Sequence, residues 1–323
     1  MTEPKIVWLV DWTDTEQSDF EAACAELGIK PRFIRSHRTG ITYGRWYHRF
    51  NTYPAYLYLA ARGWLSRADV LVVIQSIACI PLVLMPRHPK LVAWEPVLRE
   101  NDKGKLQAIF RWALRRVDLI VPTTEAQAEK VRSLGFRREQ VVGVRMGIVP
   151  KTPRNGPGEA YMLGGGREHR DWNTLREAAK GLDIPVKLGA PNPPSVTEPL
   201  EILPTLSHED YVTVMKNARA LIVPLIDSTR NAGPHAIIQA YAFGVPVITT
   251  RNPATEEYIG GGAGVLVDAG DVGQLHEAMK RLSDPVEAER ASRDAYAYVS
   301  NELSLAHFVG RVYELATEVA QSK

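Results

Sequence analysis

One loop of the chain has the residue types of an anion-binding turn. An apolar run, Ala220–Pro224, leads into polar residues, and Gly233 and Pro234 then open an apolar helical segment that ends at Gly244. A strand, a small glycine-bearing loop and a helix in this order present backbone N–H groups at the positive end of a helix dipole. Proline suits the first helical position, where its missing N–H has no helical partner. The segment predicts a phosphate site, although any strand–turn–helix unit shares part of the pattern.

The elements that must position this loop alternate along the whole chain. Short apolar runs such as 6–10 predict strands, and segments with apolar residues three and four positions apart, such as 16–27, predict helices. The alternation runs to a predicted strand at 141–144 and restarts at 160, after a stretch rich in Pro and Gly at 151–159. Two such series predict an α/β protein with two doubly wound parallel sheets, whose natural ligand site is a cleft between them.

Composition excludes several classes of protein. The 323 residues are 45% hydrophobic and 24% charged, which is an ordinary globular mixture and argues against disordered and fibrous chains. Cys24 and Cys79 both lie in apolar surroundings, so a disulfide framework is not expected and a reducing compartment is. No apolar run has the roughly 18 residues of a membrane span, and the first residues do not resemble a signal peptide. We therefore expect a cytoplasmic protein.

The charge is unevenly distributed although the net charge is only +2. Residues 28–68 contain eight Lys or Arg residues and no Asp or Glu, and aromatic residues alternate with arginines at 43–50. This composition suits three anionic partners, namely a membrane surface, a lipid-diphosphate acceptor and a nucleic acid strand. Alternatively, the basic residues form a solvated face whose charge is balanced by acids elsewhere in the fold, and the aromatic residues belong to the core.

The window around the predicted phosphate site resembles a known family. Gln239-Ala-Tyr-Ala-Phe-Gly-Val-Pro-Val-Ile248 resembles the donor-binding segment of GT-B glycosyltransferases, most closely glycosyltransferase family 4. That family carries a Glu-x7-Glu motif, and here Asn231 and Gln239 stand in place of its two acids. The glycines and arginines of 161–170, the segment 207–220 and the segment 256–267 extend the resemblance.

The resemblance implies a GT-B fold of two Rossmann-like domains that face each other across a cleft. It places an acceptor-binding domain at 1–150, a nucleotide-sugar donor-binding domain at 151–303 and a C-terminal helix at 304–323 that returns to the first domain. It implies a retaining hexosyltransferase that moves a sugar from a nucleoside-diphosphate sugar to an acceptor hydroxyl, with a lipid-linked or surface glycan as the leading acceptor. A nucleic-acid base or another anionic acceptor, a nucleotide-sugar epimerase, and a non-catalytic GT-B binding module stay open as alternatives.

The resemblance also implies a set of donor-binding residues. Arg170, with Arg167, would neutralise the diphosphate, Gln239 would bind ribose hydroxyls, and Asn231 would lie near the sugar. The alternatives are pairing of the arginines with Glu168 or Asp171 and a turn role for Asn231. The full donor set is Gly165, Gly166, Arg167, Arg170, Leu206, Asn231, Ala232, Gly233, Pro234, His235, Ala236 and Gln239.

Catalytic and acceptor-binding groups are expected mainly in the first half of the chain. Asp11 and Glu95 each end a predicted strand and are catalytic candidates together with Asn231, whereas a helix cap is the alternative for Asp11. The acceptor candidates are Arg38, Tyr43, Arg45 and Trp46. No Asp-x-Asp occurs in the chain, so we expect no metal and no cofactor beyond the nucleotide-sugar co-substrate. No protein partner is inferred, and a peripheral position at the inner membrane face stays open.

Overall fold

The computed structural model describes residues 3–10, 14–35, 45–74, 78–96, 104–166, 169–190, 198–226 and 232–322. Within these ranges, residues 14, 45–54 and 106 are described by their backbone alone. The chain divides into two compact units. The first unit comprises residues 1–146 and 305–323, and the second comprises residues 147–304.

Strands and helices alternate in both units. The strands are β1 (Ile6–Val10), β2 (Phe33–Arg35), β3 (Val70–Val73), β4 (Lys90–Trp94), β5 (Leu119–Val121), β6 (Met162–Gly165), β7 (Val186–Gly189), β8 (Leu200–Ile202), β9 (Leu221–Val223), β10 (Val247–Thr250) and β11 (Gly264–Val267). The helices are α1 (Asp14–Glu26), α2 (Arg45–Leu65), α3 (Cys79–Leu82), α4 (Lys105–Leu114), α5 (Glu125–Ser133), α6 (Trp172–Ala178), α7 (His208–Asn217), α8 (Pro234–Tyr241), α9 (Pro253–Glu256), α10 (Val272–Ser283), α11 (Pro285–Glu302) and α12 (Leu305–Gln321). In the described ranges, no helix combines the length and the apolar composition that crossing a bilayer requires.

The first unit is built on a parallel sheet with the strand order β2-β1-β3-β4-β5. Its strands are apolar on both faces because helices cover both sides. Val7 and Leu9 of β1 face the core under α2–α5, while Ile6, Trp8 and Val10 face the core under α1 and α12. Because α12 contributes Phe308, Val309 and Val312 to that second core, the last helix of the chain is part of the first unit.

The second unit is built on a parallel sheet with the order β11-β10-β9-β6-β7-β8. The chain runs outward from β6 through β7 to β8, then returns to the middle and runs the other way from β9 to β11. Neighbouring β6 and β9 therefore mark the point at which the winding reverses. In open α/β sheets a ligand binds at this point, beyond the carboxyl ends of the two strands.

The largest differences between the structure and the sequence predictions concern two strands. The predicted strand at 141–144 forms only a single bridge, from Val141 to Ile120 of β5. Val142 and Val144 donate to the carbonyls of Ile120 and Pro122, but Pro122 has no N–H to continue the ladder between them. β8 was not predicted from the sequence, and it pairs with β7 through the register Val186↔Leu200.

Candidate functional site

The loops that follow β6 and β9 are joined at the carboxyl end of the second sheet. Arg170 forms an antiparallel bridge with Leu225. The N–H of Ile226 donates to His169 O at 3.1 Å, and the N–H of Asp171 donates to Pro224 O at 2.9 Å. These bonds bring the segment after β6 and the segment after β9 together at the point where the winding of the sheet reverses.

The Arg170 guanidinium is held over the glycines that end β6. Its Nε donates to Gly165 O at 2.9 Å, and the side chain occupies the volume that a Cβ at Gly166 would need. Gly166 has a φ of 121°, which a residue with a side chain rarely adopts. Burial lowers the pKa of Arg170, and the nearby Tyr211 raises it. A half-buried cation at this edge is suited to charge-assisted bonds with an anion.

Tyr211 of α7 covers the neighbouring glycine and was missed by the sequence analysis. Its hydroxyl lies where a Cβ at Gly165 would be, and its ring lies 3.4 Å from a Cβ position at Gly189, the last residue of β7. Desolvation raises the pKa of the Tyr211 hydroxyl, and the positive charge of Arg170 lowers it. The spacing Tyr211–Met215 places the tyrosine on the buried side of α7 and is the one signal in the sequence that could have indicated its position.

The start of α8 forms the second wall of the site. Gly233 precedes the helix with a φ of 110°, and a Cβ there would lie 2.8 Å from Thr255 Cγ2 and 3.3 Å from Leu225 Cδ1. Pro234 occupies the first turn of the helix, and helical bonding begins with the N–H of Ile237 donating to Gly233 O at 3.1 Å. The first amide groups of a helix point out of its N-terminus, which favours an anion there.

Threonines hold this turn against β10. The N–H of Leu225 donates to Thr250 Oγ1 at 2.8 Å, and Thr255 Oγ1 donates to Thr250 O at 2.8 Å. Asn252 caps α9, with its side chain accepting from the N–H groups of Ala254 and Thr255. These residues carry no recognisable signal in the sequence, because their contacts join segments that are far apart in the chain.

The structure brings part of the expected donor set together. Leu225 links Arg170, through the backbone bridge, to Gly233, through its side chain. Gly165 and Gly166 lie under this pair, and Ala232, Pro234, His235 and Ala236 lie around the helix start. Gln239 is half-buried one turn further along α8, and Leu206 is half-buried just before the α7 cap Ser207. Arg167 and Asn231 lie outside the described residues.

The catalytic candidates Asp11 and Glu95 and the four acceptor candidates fall in the first unit. Glu95 follows β4 with a φ of 47°, and its N–H donates to Val121 O at 2.9 Å. Its side chain reaches solvent, yet the protein around it raises the pKa of the carboxyl by desolvation. Arg45 and Trp46 begin α2, where only the backbone is described, and Asp11, Arg38 and Tyr43 lie outside the described residues. Their roles stay predictions.

Metal-ligand residues do not gather in the described ranges. Across those ranges, no group of three or more His, Cys, Asp or Glu side chains has an arrangement that could hold a metal ion. Among the described donor-site candidates, Arg170 supplies a full positive charge and the N-terminus of α8 supplies a partial one.

The sequence of the second unit matches a known family over part of its length. Residues 196–298 match the family described as Glycosyl transferases group 1. No curated protein matches the chain.

Solved structures resemble the whole chain. Sucrose-phosphate synthase from Thermosynechococcus elongatus is 15% identical with a TM-score of 0.70, over 97% of this chain and 98% of that one. HepE from Anabaena, solved in complex with UDP and glucose, is 13% identical with a TM-score of 0.65, over 97% and 99%. WaaG, a glycosyltransferase involved in lipopolysaccharide biosynthesis, is 13% identical with a TM-score of 0.62, over 97% and 99%. The chain has the GT-B fold of these proteins, as the sequence predicted.

Proposed function

We propose that the protein transfers a hexose from a nucleoside-diphosphate sugar to an acceptor hydroxyl, with retention of the anomeric configuration and without a metal ion. The observation that carries this proposal is the junction at Leu225, where Arg170 and the start of α8 meet at the winding reversal of the second sheet. The match to the Glycosyl transferases group 1 family over residues 196–298 and the UDP complex of HepE support it.

In this proposal the diphosphate lies between the α8 N-terminus and Arg170. Negative charge builds up on a leaving diphosphate as the glycosidic bond breaks, so groups that stabilise it lower the barrier. An arginine fork gives two directed, charge-assisted bonds to phosphate oxygens, and the helix amide groups add more. Together these groups stabilise the negative charge of the diphosphate, which a bridging metal ion does in other diphosphate sites.

Gln239 and Glu95 have assigned parts in the same proposal. The amide of Gln239 both donates and accepts, which suits the vicinal hydroxyls of a ribose. Glu95 is an acid whose pKa is raised by burial, which suits a group that exchanges a proton with an acceptor hydroxyl. Arg167 keeps its proposed role at the diphosphate of the donor, and Asn231 its role near the sugar. Asp11 keeps its proposed role at the acceptor.

For the acceptor we propose a lipid-linked or surface glycan, met at the inner face of a membrane. The basic and aromatic composition of residues 28–68 supports an anionic acceptor environment. Transfer to a nucleic-acid base is the second candidate, since arginines and aromatic residues also suit a nucleic acid strand.

Thermal unfolding with UDP, GDP, ADP and dTDP tests the donor site, first without metal and then with Mg²⁺. A nucleotide at about 100 times its Kd adds about 2.7 kcal/mol to the free energy of unfolding. We expect a shift with one nucleotide in the absence of metal, and we expect Arg170→Ala to remove it. Arg176→Ala is the matched control, because Arg176 lies on nearby α6 and pairs with Glu177 at 3.1 Å.

The outcomes separate the remaining alternatives. Stabilisation by a nucleotide without hydrolysis or transfer of its sugar conjugate would identify a binding module. Interconversion of donor epimers without an acceptor would identify an epimerase. No shift with any of the four nucleotides, or an equal shift in Arg170→Ala, would contradict the donor site. The anomeric configuration of the first product, read by NMR, tests retention.

A further inference from the structure

The outer surface of α2, α3 and α4 in the first unit is strongly apolar. We define the α2–α4 face as the exposed side chains of these helices and of the residues that directly follow them. Leu57 and Leu65 of α2 are 58% and 64% exposed, and Leu84, just after α3, is 67% exposed. Ile109 and Trp112 of α4 are also exposed. Apolar patches of this kind on a soluble unit commonly mark a binding surface.

Helix α2 is apolar on both of its sides. Leu59 and Ala60 are buried against the sheet, and Gly63 lies so close to it that a Cβ would be 3.0 Å from Leu9 Cδ1. A helix packed on a core in this way normally turns polar residues outward. Here Leu57 and Leu65 point outward instead, so burial in the first unit does not account for them.

The exposed residues belong to one continuous surface. α3 packs against both α2 and α4, and all three helices cover the same side of the sheet. Trp64 Nε1 donates to Pro86 O at 3.0 Å, which joins the end of α2 to the loop after α3. Leu65 and Leu84 therefore lie on adjoining segments.

The charge of the α2–α4 face has one sign. Residues 45–68, 78–94 and 104–117, which form the three helices and the segments that follow them, contain no Asp or Glu. Exposed arginines lie among the apolar residues, namely Arg62, Arg87, Arg115 and Arg116. The Arg116 guanidinium stacks over the Trp112 ring, with its Cζ 4.0 Å from the ring centroid.

We propose that the α2–α4 face binds the anionic surface of a lipid bilayer. Aliphatic side chains and tryptophan enter the boundary between headgroups and acyl chains, while arginines pair with lipid phosphates. The inference extends the proposed function, in which the acceptor is lipid-linked, by naming the surface and the lipid charge. It concerns described residues of α2, α3 and α4, whereas the donor site lies in the second unit.

Other partners fit this face less well. In a symmetric dimer the same patch meets itself, so its arginines would face one another with no carboxylate of these segments to pair with them. Nucleic acid would pair with the arginines and stack on Trp112, but it offers no apolar environment to Leu57, Leu65 or Leu84. A bilayer with anionic headgroups satisfies both parts of the surface.

Sedimentation of the full-length protein with lipid vesicles tests the proposal. We compare vesicles of phosphatidylcholine with vesicles that also hold about 30% phosphatidylglycerol, a fraction chosen to resemble an anionic leaflet. We expect binding to the anionic vesicles, weakened by salt, and little to the neutral ones. Because one arginine near such a surface contributes about a fivefold change in partitioning, Arg115→Ala with Arg116→Ala should lower binding about 25-fold.

Matched variants separate the apolar and the charged contributions from general effects. Leu65→Glu with Leu84→Glu should lower binding at least about tenfold, since it replaces inserted apolar groups by anions. Val286→Glu is the control, because Val286 is 73% exposed on α11 in the second unit. Arg290→Ala with Arg293→Ala controls for the loss of two positive charges, and both control variants should bind within about twofold of the wild type.

Four results of the vesicle experiments would overturn the proposal. These are no binding to anionic vesicles, equal binding to neutral vesicles, binding that survives both α2–α4 variants, and competition by single-stranded nucleic acid at lower concentration than by lipid. A lipid-free dimer that Leu65→Glu dissociates would assign the face to a second copy instead. The nucleotide-induced thermal shift, measured without lipid, reports the proposed function separately and should be unchanged in every one of these variants.

Discussion

The backbone of Arg170 forms an antiparallel bridge with Leu225, just beyond the carboxyl ends of β6 and β9 in a sheet whose strands pair in parallel. The bridge ties the loop after β6 to the loop after β9, and Leu225 Cδ1 lies 3.3 Å from the position of a Cβ added to Gly233. One leucine thus contacts both the segment that carries Arg170 and the glycine that precedes α8. The proposed diphosphate site lies between these two segments, and the first two predictions concern its glycines.

Gly233→Ala should destabilise the protein by about 1–3 kcal/mol, because an alanine must adopt the glycine φ and its Cβ approaches Thr255 Cγ2. It should also weaken nucleotide binding, since the start of α8 moves. Thr255→Ser removes the obstructing methyl group and keeps the hydroxyl, so the double variant should lose less than the sum of the two single variants. Chemical denaturation and nucleotide titration measure both effects.

Gly181→Ala is the control for this prediction. Gly181 also has a positive φ, of 77°, but no atom lies within 4 Å of the added Cβ. It should show the conformational strain alone, with unchanged nucleotide affinity and no rescue by Thr255→Ser. Equal losses in the Gly181 and Gly233 variants would show that the contact with Thr255 is unimportant.

Gly165→Ala should be rescued in part by Tyr211→Phe. The added Cβ meets the Tyr211 hydroxyl, which phenylalanine lacks, whereas the nearest ring carbon is 3.4 Å away. We expect a coupling of about 0.5–3 kcal/mol in a double-mutant cycle on the free energy of unfolding. Gly189→Ala meets Tyr211 only at ring carbons 3.4 Å away, so Tyr211→Phe should not rescue it. Additive effects in the Gly165 cycle would contradict the placement of the hydroxyl.

Arg154→Met should destabilise the second unit by about 2–4 kcal/mol, since it leaves buried groups without donors. Arg154 is 9% exposed, and its guanidinium donates to Ser292 Oγ at 3.1 Å, to Arg219 O at 3.2 Å and to Ala218 O. Burial, followed by the charge of Arg219, lowers the pKa of Arg154 to about 10. Urea denaturation measures the loss.

Arg290→Met provides the comparison for Arg154. Arg290 is exposed on α11 and pairs with Glu287 at 2.6 Å. An exposed ion pair of this kind contributes at most about 1 kcal/mol, so the variant should be close to the wild type. Similar losses in the two variants would mean that the buried carbonyl contacts do not stabilise the unit.

The two cysteines should be unreactive in the folded protein. Cys24 and Cys79 are fully buried, and desolvation raises the pKa of each thiol to about 12 from an ordinary value of 9.0. A thiol reagent at pH 8 should label neither in the native state and both in denaturant, because the thiolate is the reactive form. Labelling of one cysteine at the rate of a free thiol would contradict this.

The same shifts predict a loss of stability at high pH. The thiols of the unfolded chain lose their protons above about pH 9, whereas those of the folded protein keep theirs until about pH 12. The free energy of unfolding should therefore fall as the pH rises from 9 toward 12. Cys79→Ala should reduce the slope in this range, measured against the wild type in the same buffers.

Much of the fold followed from local sequence patterns. The strand predicted at 6–10 is β1 with its observed bounds, and the helix predicted at 16–27 overlaps α1, Asp14–Glu26. Alternation of apolar runs and amphipathic segments is a local property, and it was sufficient to predict two parallel sheets. β8 was missed because Leu200–Ile202 is short and is defined by its pairing with β7.

The candidate site followed from the sequence only in part. Gly233 and Pro234 were predicted as a helix start by their residue types, and Arg170 entered through a family resemblance. Tyr211 and Thr255 carry no comparable signal, because their importance lies in contacts with Gly165 and Gly233, which are distant from them in the chain. Contacts of this kind depend on which strands are neighbours in the sheet. No short segment of the sequence determines that strand order.

The sequence by itself determined most of the strands and helices, the helix start at Gly233 and Pro234, and the absence of acids along residues 28–68, since each depends on residues close together in the chain. Only the tertiary structure decided that β6 lies beside β9, and hence that Arg170 meets Leu225. It also decided that α2, α3 and α4 share one side of a sheet, so that their outward leucines and arginines form a single surface. The order of the strands and the positions of the helices depend on how side chains pack on the two faces of each sheet. That packing involves many contacts between residues far apart in the chain.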